Sequence, residues 1–183
     1  MPFVLAISGS PSGASKTALV ADFVVKQLST HEIDARHLML RQLPCEPLMR
    51  ANSADGQIAE AMRMVERADG IVLLTPTFKA SYSGLLKAFL DLLPQYALDQ
   101  KAVLPLATGG TLAHVLALDY GLRPVLQSMG ARHIVQSYFL LESNLAVADG
   151  GLSIDNRAET SLLTAIRNFR LALDHSARHQ LVT

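Results

Sequence analysis

Three runs free of charge constrain this chain most: Phe3–Ser8 (FVLAIS), Gly70–Thr75 (GIVLLT) and Ala102–Ala107 (AVLPLA). Each is short for a helix and too apolar for a strand with one wet face, so each reads as a strand covered on both sides. Stretches of helical spacing separate them. Ala14–Gln27 has its apolar face at Ala18, Leu19, Val24 and, one residue on, Leu28. Ser53–Ala68, about Ser83–Leu93, Leu112–Met129 and Arg157–Ala177 also read as helices. Ile33–Leu40 alternates around charged residues, as a strand nearer a sheet edge does, and is followed by a loop bearing Pro44 and Pro47. Ile134–Leu140 reads as a fifth strand, and Glu142–Ser153 as irregular.

Five β/α units with right-handed crossovers predict an α/β fold, a doubly wound five-stranded parallel sheet of order 2-1-3-4-5 with helices on both faces. No repeat or linker interrupts the pattern, so residues 1–183 are expected to form a single domain. In such sheets a ligand sits beyond the carboxyl ends of the strands, at the switch point between strands one and three.

Lys+Arg and Asp+Glu both number 16, so no basic field favours nucleic acid and no polybasic run favours an anionic membrane. Only 17% of residues are charged and 50% are apolar, which leaves apolar surface for contact between subunits. Cys45 is the single cysteine and cannot form an internal bridge; no Cys/His cluster has metal-site spacing, so no metal is expected. The opening MPFVLAISGS lacks the marks of a signal peptide, and no apolar run approaches membrane-spanning length. A soluble, cytoplasmic protein is expected.

The first strand runs into Ser8-Gly9-Ser10-Pro11-Ser12-Gly13-Ala14-Ser15-Lys16-Thr17, a hydroxyl- and glycine-rich turn that opens a helix. Free backbone N–H groups and the positive helix end attract an anion there, and Ser10, Ser15 and Thr17 can add hydrogen bonds. Capping alone would account for one hydroxyl, not four. The spelling matches neither G-x-G-x-x-G nor G-x-x-x-x-G-K-[ST], because Pro11 and Ser15 stand where those motifs need glycine. A terminal phosphomonoester is the better guest.

Strand three ends in TPTFKASYSGLLK and strand four in ATGGT, both on the expected ligand edge. Together with AISGSPSGASKT, ADGIVLLTPTFKASYSGLLKAFLDLLP and above all KAVLPLATGGTLAHVLALDYGLRPVL, they make Val4–Tyr138 resemble the NAD(P)H-dependent FMN reductases. Within that family the chain is most similar to the reductase component of alkanesulfonate monooxygenase systems. The resemblance implies a flavodoxin-like fold, FMN and NADPH or NADH as cofactors, and hydride transfer to FMN. It implies phosphate contacts at Ser10, Ser15, Lys16 and Thr17, with Ser8 entering the same loop. Ring and ribityl contacts fall on Pro76, Thr77, Phe78, Lys79, Ser83, Thr108, Gly109 and Gly110. Two departures stand out: Ser12 where many relatives carry Arg, and Phe78 where many carry Tyr.

Leu112–Met129 is apolar nearly all round, as a helix covered on two sides is. Pro124 removes the donor for the Tyr120 carbonyl and Gly121 loosens the same turn, so a distortion is expected there. The resemblance implies an irregular fourth helix at the interface of a homo-oligomer, tetramer or dimer, with Tyr120 reaching a neighbouring flavin site as a candidate catalytic residue. It also implies a flavin-dependent monooxygenase that receives the reduced flavin, with sulfonate and sulfur assimilation as the setting. The residues leave two rivals open: an NAD(P)H:quinone or azo reductase with tightly bound FMN, and a flavodoxin-like electron carrier without turnover.

Overall fold

Four strands set the scaffold in the computed structural model, which describes residues 1–148 and 151–180. They are β1 (Phe3–Ser8), β2 (Asp34–Met39), β3 (Gly70–Pro76) and β4 (Ala102–Gly109), and every pairing among them is parallel. The sheet order is the expected 2-1-3-4-5. Alternation along the strands divides the core in two. Leu5, Ile7, Ile71, Leu73 and Val103 face the layer of α3 (Gly56–Arg67), α4 (Gly84–Leu90) and α5 (Arg123–Ser128). Val4, Ala6, Val72, Leu74, Leu104 and Leu106 face α1 (Lys16–Ser29) and α6 (Asn156–Gln180), where Phe169 is fully buried. Helix α1 starts at Lys16 because Ser15 caps it, its Oγ accepting the Ala18 amide at 3.1 Å. The proline-bearing loop after β2 contains a 3₁₀ turn, Leu40–Gln42, and the short α2 (Cys45–Met49).

Three expectations are corrected. The fifth position of the sheet is filled by two strands, β5 (His133–Ile134) and β6 (Tyr138–Leu141), both parallel to β4. Between them the chain leaves the ladder, because the Arg123 guanidinium donates to the carbonyls of Ile134 and Val135 and to Ser137 Oγ, while Asp119 accepts from Arg123 Nε and Ser137 Oγ.

The continuous helix expected over Leu112–Met129 is a 3₁₀ turn (Leu112–His114), a π-turn (Leu118–Leu122) and α5. The Arg123 amide bonds the Leu118 carbonyl five residues back, which is the widening expected beside Pro124 and Gly121. Nor is Glu142–Ser153 irregular throughout. After a 3₁₀ turn at Glu142–Asn144, β7 (Leu145–Ala148) pairs antiparallel with β8 (Gly151–Ile154), and Leu145 and Ile154 bury into the α1/α6 layer. The missed signal was the Asp149-Gly150 pair between LAVA and GLSI; those two residues lie outside the described ones.

Candidate active site

The β1–α1 connection, from the last residue of β1 to the first turn of α1, buries polar side chains that would ordinarily face water: Ser8, Ser10, Ser15 and Thr17 are all enclosed. Gly9 holds the loop against its neighbours. Its amide donates to the Leu74 carbonyl at 2.8 Å, and a Cβ there would lie 2.7 Å from Leu86 Cβ, so only glycine fits. Ser10 Oγ accepts the Ser12 amide and Ser15 Oγ caps the helix. The amides of Lys16 and Thr17, first in the helix, have no helical acceptor by position and lie at its positive end. Lys16 Nζ donates to the Glu142 carbonyl at 2.9 Å, leaving two ammonium protons for other acceptors.

Two further loops meet this one at the carboxyl ends of β3 and β4. The Thr77 amide donates to the Thr108 carbonyl at 2.8 Å, and the hydroxyls of Thr108 and Thr17 lie 2.7 Å apart. Ser83 Oγ donates to the Gly9 carbonyl and accepts the Leu86 amide, capping α4, while its own amide donates to Thr75 Oγ1. Phe78 and Ser81 exchange two backbone bonds around Lys79 and Ala80, whose φ of 49° and 61° make a tight left-handed turn without glycine. Gly109 packs on Phe139, whose Cζ would lie 2.6 Å from a Cβ, whereas nothing crowds Gly110.

Of the expected residues, Ser8, Ser10, Ser15, Lys16, Thr17, Pro76, Thr77, Ser83, Thr108, Gly109 and Gly110 are thus brought to one end of the sheet, on the last residues of β1, β3 and β4, the first turn of α1 and the interlocked loops between. Phe78, 50% exposed, and Lys79 lie on the turn beside them. Tyr120 does not join them within one chain: it stands on the π-turn, 79% exposed. The π-turn nevertheless abuts the same turn, for Ser81 Oγ and the Tyr82 ring come within 3.6–3.8 Å of where a Gly121 Cβ would stand. Sequence reasoning missed Thr75, the Glu142 carbonyl and the pair Asp22 and His37, which bond each other at 2.7 Å behind the loop. A cavity of about 670 Å³ lined by Met62, Arg63, Tyr96 and Lys101 carries none of the expected residues and lies toward the amino ends of the strands.

A parallel sheet of this order, with a hydroxyl-lined loop at its switch point, defines a flavodoxin-like α/β protein. Within that class the chain belongs to the NADPH-dependent FMN reductase family, whose model matches residues 2–145. It is 36% identical over 177 residues to the FMN reductase (NADPH) of Pseudomonas putida KT2440, covering 96% of this chain and 90% of that one. It is 30% identical over 176 residues to the NADH-dependent FMN reductase SfnE of Pseudomonas putida, covering 94% and 89%. The crystal structure of the apo NADH:FMN oxidoreductase EMOB superimposes with a TM-score of 0.86 at 46% identity, over 94% of this chain and 90% of that one. The chain is an NAD(P)H:FMN oxidoreductase with FMN and NAD(P)H as its cofactors.

The residues fit a flavin mononucleotide. Thr77 Oγ1 is buried without a hydrogen-bond partner among the described residues, an unmet donor and acceptor that a ligand's polar edge can satisfy. The hydroxyls and free amides at the start of α1 suit a phosphate, and the open space at Gly110 admits a ring close to the backbone. No helix of the described residues is long and apolar enough to cross a membrane.

Proposed function

We propose that this enzyme reduces FMN with NADPH or NADH and releases the reduced flavin to a separate flavin-dependent monooxygenase acting on organic sulfur compounds. The observation that carries the site assignment is the interlocking of three loops through Gly9–Leu74, Ser83–Gly9, Thr77–Thr108 and Thr17–Thr108, which builds one rigid cradle beyond β1, β3 and β4. The release to an oxygenase rests on the resemblance of KAVLPLATGGTLAHVLALDYGLRPVL to reductases of alkanesulfonate systems.

Bound FMN supplies the two-electron acceptor, and the chain supplies position. Ser10, Ser15, Thr17 and the amides of the first helical turn would hold the phosphate, with Lys16 adding charge. Pro76, Thr77, Phe78, Lys79, Ser83, Thr108, Gly109 and Gly110 would form the surround of the ring and ribityl chain. No general base is required, and none is assigned.

Leu112, Val115, Leu116 and Tyr120 are all exposed in one chain, and a second copy covering them would bring Tyr120 towards the neighbouring site. This reading takes the enzyme to be cytoplasmic, where an exposed lone thiol such as Cys45 stays reduced. Steady-state NAD(P)H oxidation with and without added FMN tests the proposal. Turnover that depends on free FMN, from protein purified colourless, is expected. Flavin retained through gel filtration and every cycle would favour a quinone or azo reductase instead.

A further inference from the structure

Behind the phosphate loop, three side chains form a hydrogen-bonded line for which flavin reduction has no assigned use. Asp22 Oδ1 on α1 lies 2.7 Å from His37 Nδ1 on β2, and His37 Nε2 lies 2.8 Å from Ser8 Oγ at the end of β1. The His37 side chain is 7% exposed and Ser8 is 1% exposed, whereas the Asp22 carboxylate is 59% exposed and reaches solvent.

The partners decide which ring nitrogen carries a proton. A carboxylate only accepts, so Asp22 takes the Nδ1 proton and leaves Nε2 to face Ser8. With a neutral ring, the Ser8 hydroxyl must spend its proton on Nε2. With a protonated ring, Nε2–H donates to Ser8 Oγ and the serine O–H is free to turn to another acceptor. His37 therefore sets the polarity that Ser8 presents to the base of the loop.

We propose that entry of a phosphate dianion into the β1–α1 loop draws one proton from solvent onto His37 Nε2, and that the positive charge is relayed to the anion through the Ser8 hydroxyl. This rests on the reading of that loop as the FMN phosphate site. No covalent bond other than N–H forms, and the proton comes from water or buffer. The local charges make such a relay useful. Ser12 is neutral, and the Lys16 ammonium is shared with the Glu142 carbonyl. The other charged residues of α1 are Asp22 and Lys26; β1 and β8 have none; on β2, Asp34 and Arg36 pair with each other at 3.0 Å.

Calorimetry of FMN and riboflavin binding in two buffers of different ionisation enthalpy tests the relay, at about pH 7.5, where a phosphomonoester is already nearly all dianion. Proton uptake is expected with FMN and none with riboflavin. His37→Gln and, as an independent check on folding, Ser8→Ala should abolish the uptake. Each should weaken FMN roughly tenfold, the loss of one charge-assisted hydrogen bond, and leave riboflavin unchanged. FMN that outbinds riboflavin without proton uptake overturns the relay and leaves the phosphate-site reading standing. FMN that binds no tighter than riboflavin overturns both. Uptake that persists in both variants puts the titrating group elsewhere and also overturns it.

Discussion

The hydroxyls of Thr17 and Thr108 meet at 2.7 Å, buried, although 91 residues separate them. The bond ties the first turn of α1 to the end of β4, reaching over the intervening strand β3. Thr17→Val or Thr108→Val keeps the shape but strands the other hydroxyl without a partner, at a cost of about 1–3 kcal/mol. Urea unfolding should show the double variant losing about 1 kcal/mol less than the sum of the singles. Strict additivity would show that the pair is not coupled.

Gly109→Ala forces a methyl to within 2.6 Å of the Phe139 ring edge, inside a buried part of the sheet. Overpacking of this kind costs about 1–3 kcal/mol. A lowered melting temperature is expected, with partial recovery when Phe139→Leu is added to make room.

Lys79 and Ala80 both sit in the left-handed region, which costs an L residue about 1–2 kcal/mol relative to glycine. Glycine also loses about 0.5–1 kcal/mol more chain entropy on folding. Ala80→Gly should therefore stabilise the fold by about 0.5–1 kcal/mol in chemical denaturation, the difference of those terms. A loss of stability would show that the turn is not held in this conformation in solution.

Burial lowers the Lys101 pKa below its usual value of 10.5, against the opposing pull of Asp69 and Glu66, while Nζ donates to the carbonyls of Glu66 and Ala68. For a base depressed in the folded state, the unfolded chain binds more protons between the folded pKa and 10.5, so stability rises with pH across that window. The gain is complete above 10.5 and lost as pH falls through the folded value. Unfolding midpoints between about pH 8 and 11 should rise for the wild type relative to Lys101→Met, which removes the titrating group. Parallel curves would show that Lys101 is not the source.

Tyr120 is 79% exposed in one chain, so Tyr120→Ala should change the unfolding free energy of a dissociated chain by less than about 0.5 kcal/mol. Sedimentation equilibrium should nonetheless show weaker self-association. An unchanged assembly would remove Tyr120 from the interface.

Much of the scaffold was legible because its signals are local. Parallel strands covered on both faces cannot tolerate charge, so FVLAIS, GIVLLT and AVLPLA announced β1, β3 and β4. Pro124 lacks an N–H wherever it sits, so a distortion at Tyr120–Gly121 followed from spelling alone, and the π-turn lies there. The break between β5 and β6 was hidden, since it depends on Arg123 and Asp119 reaching Ser137 from another element.

The same division separates what each level decided. By itself the sequence determined the strand-and-helix alternation, the sheet order and the hydroxyl-rich loop at the switch point, because hydrophobic period and backbone chemistry act over a few residues. Only the tertiary structure decided that Thr17 bonds Thr108, that Lys16 reaches Glu142, and that Asp22, His37 and Ser8 stand in line. Such pairings form when packed layers bring side chains 15 to 126 positions apart into contact, a distance over which neither periodicity nor local spelling carries information.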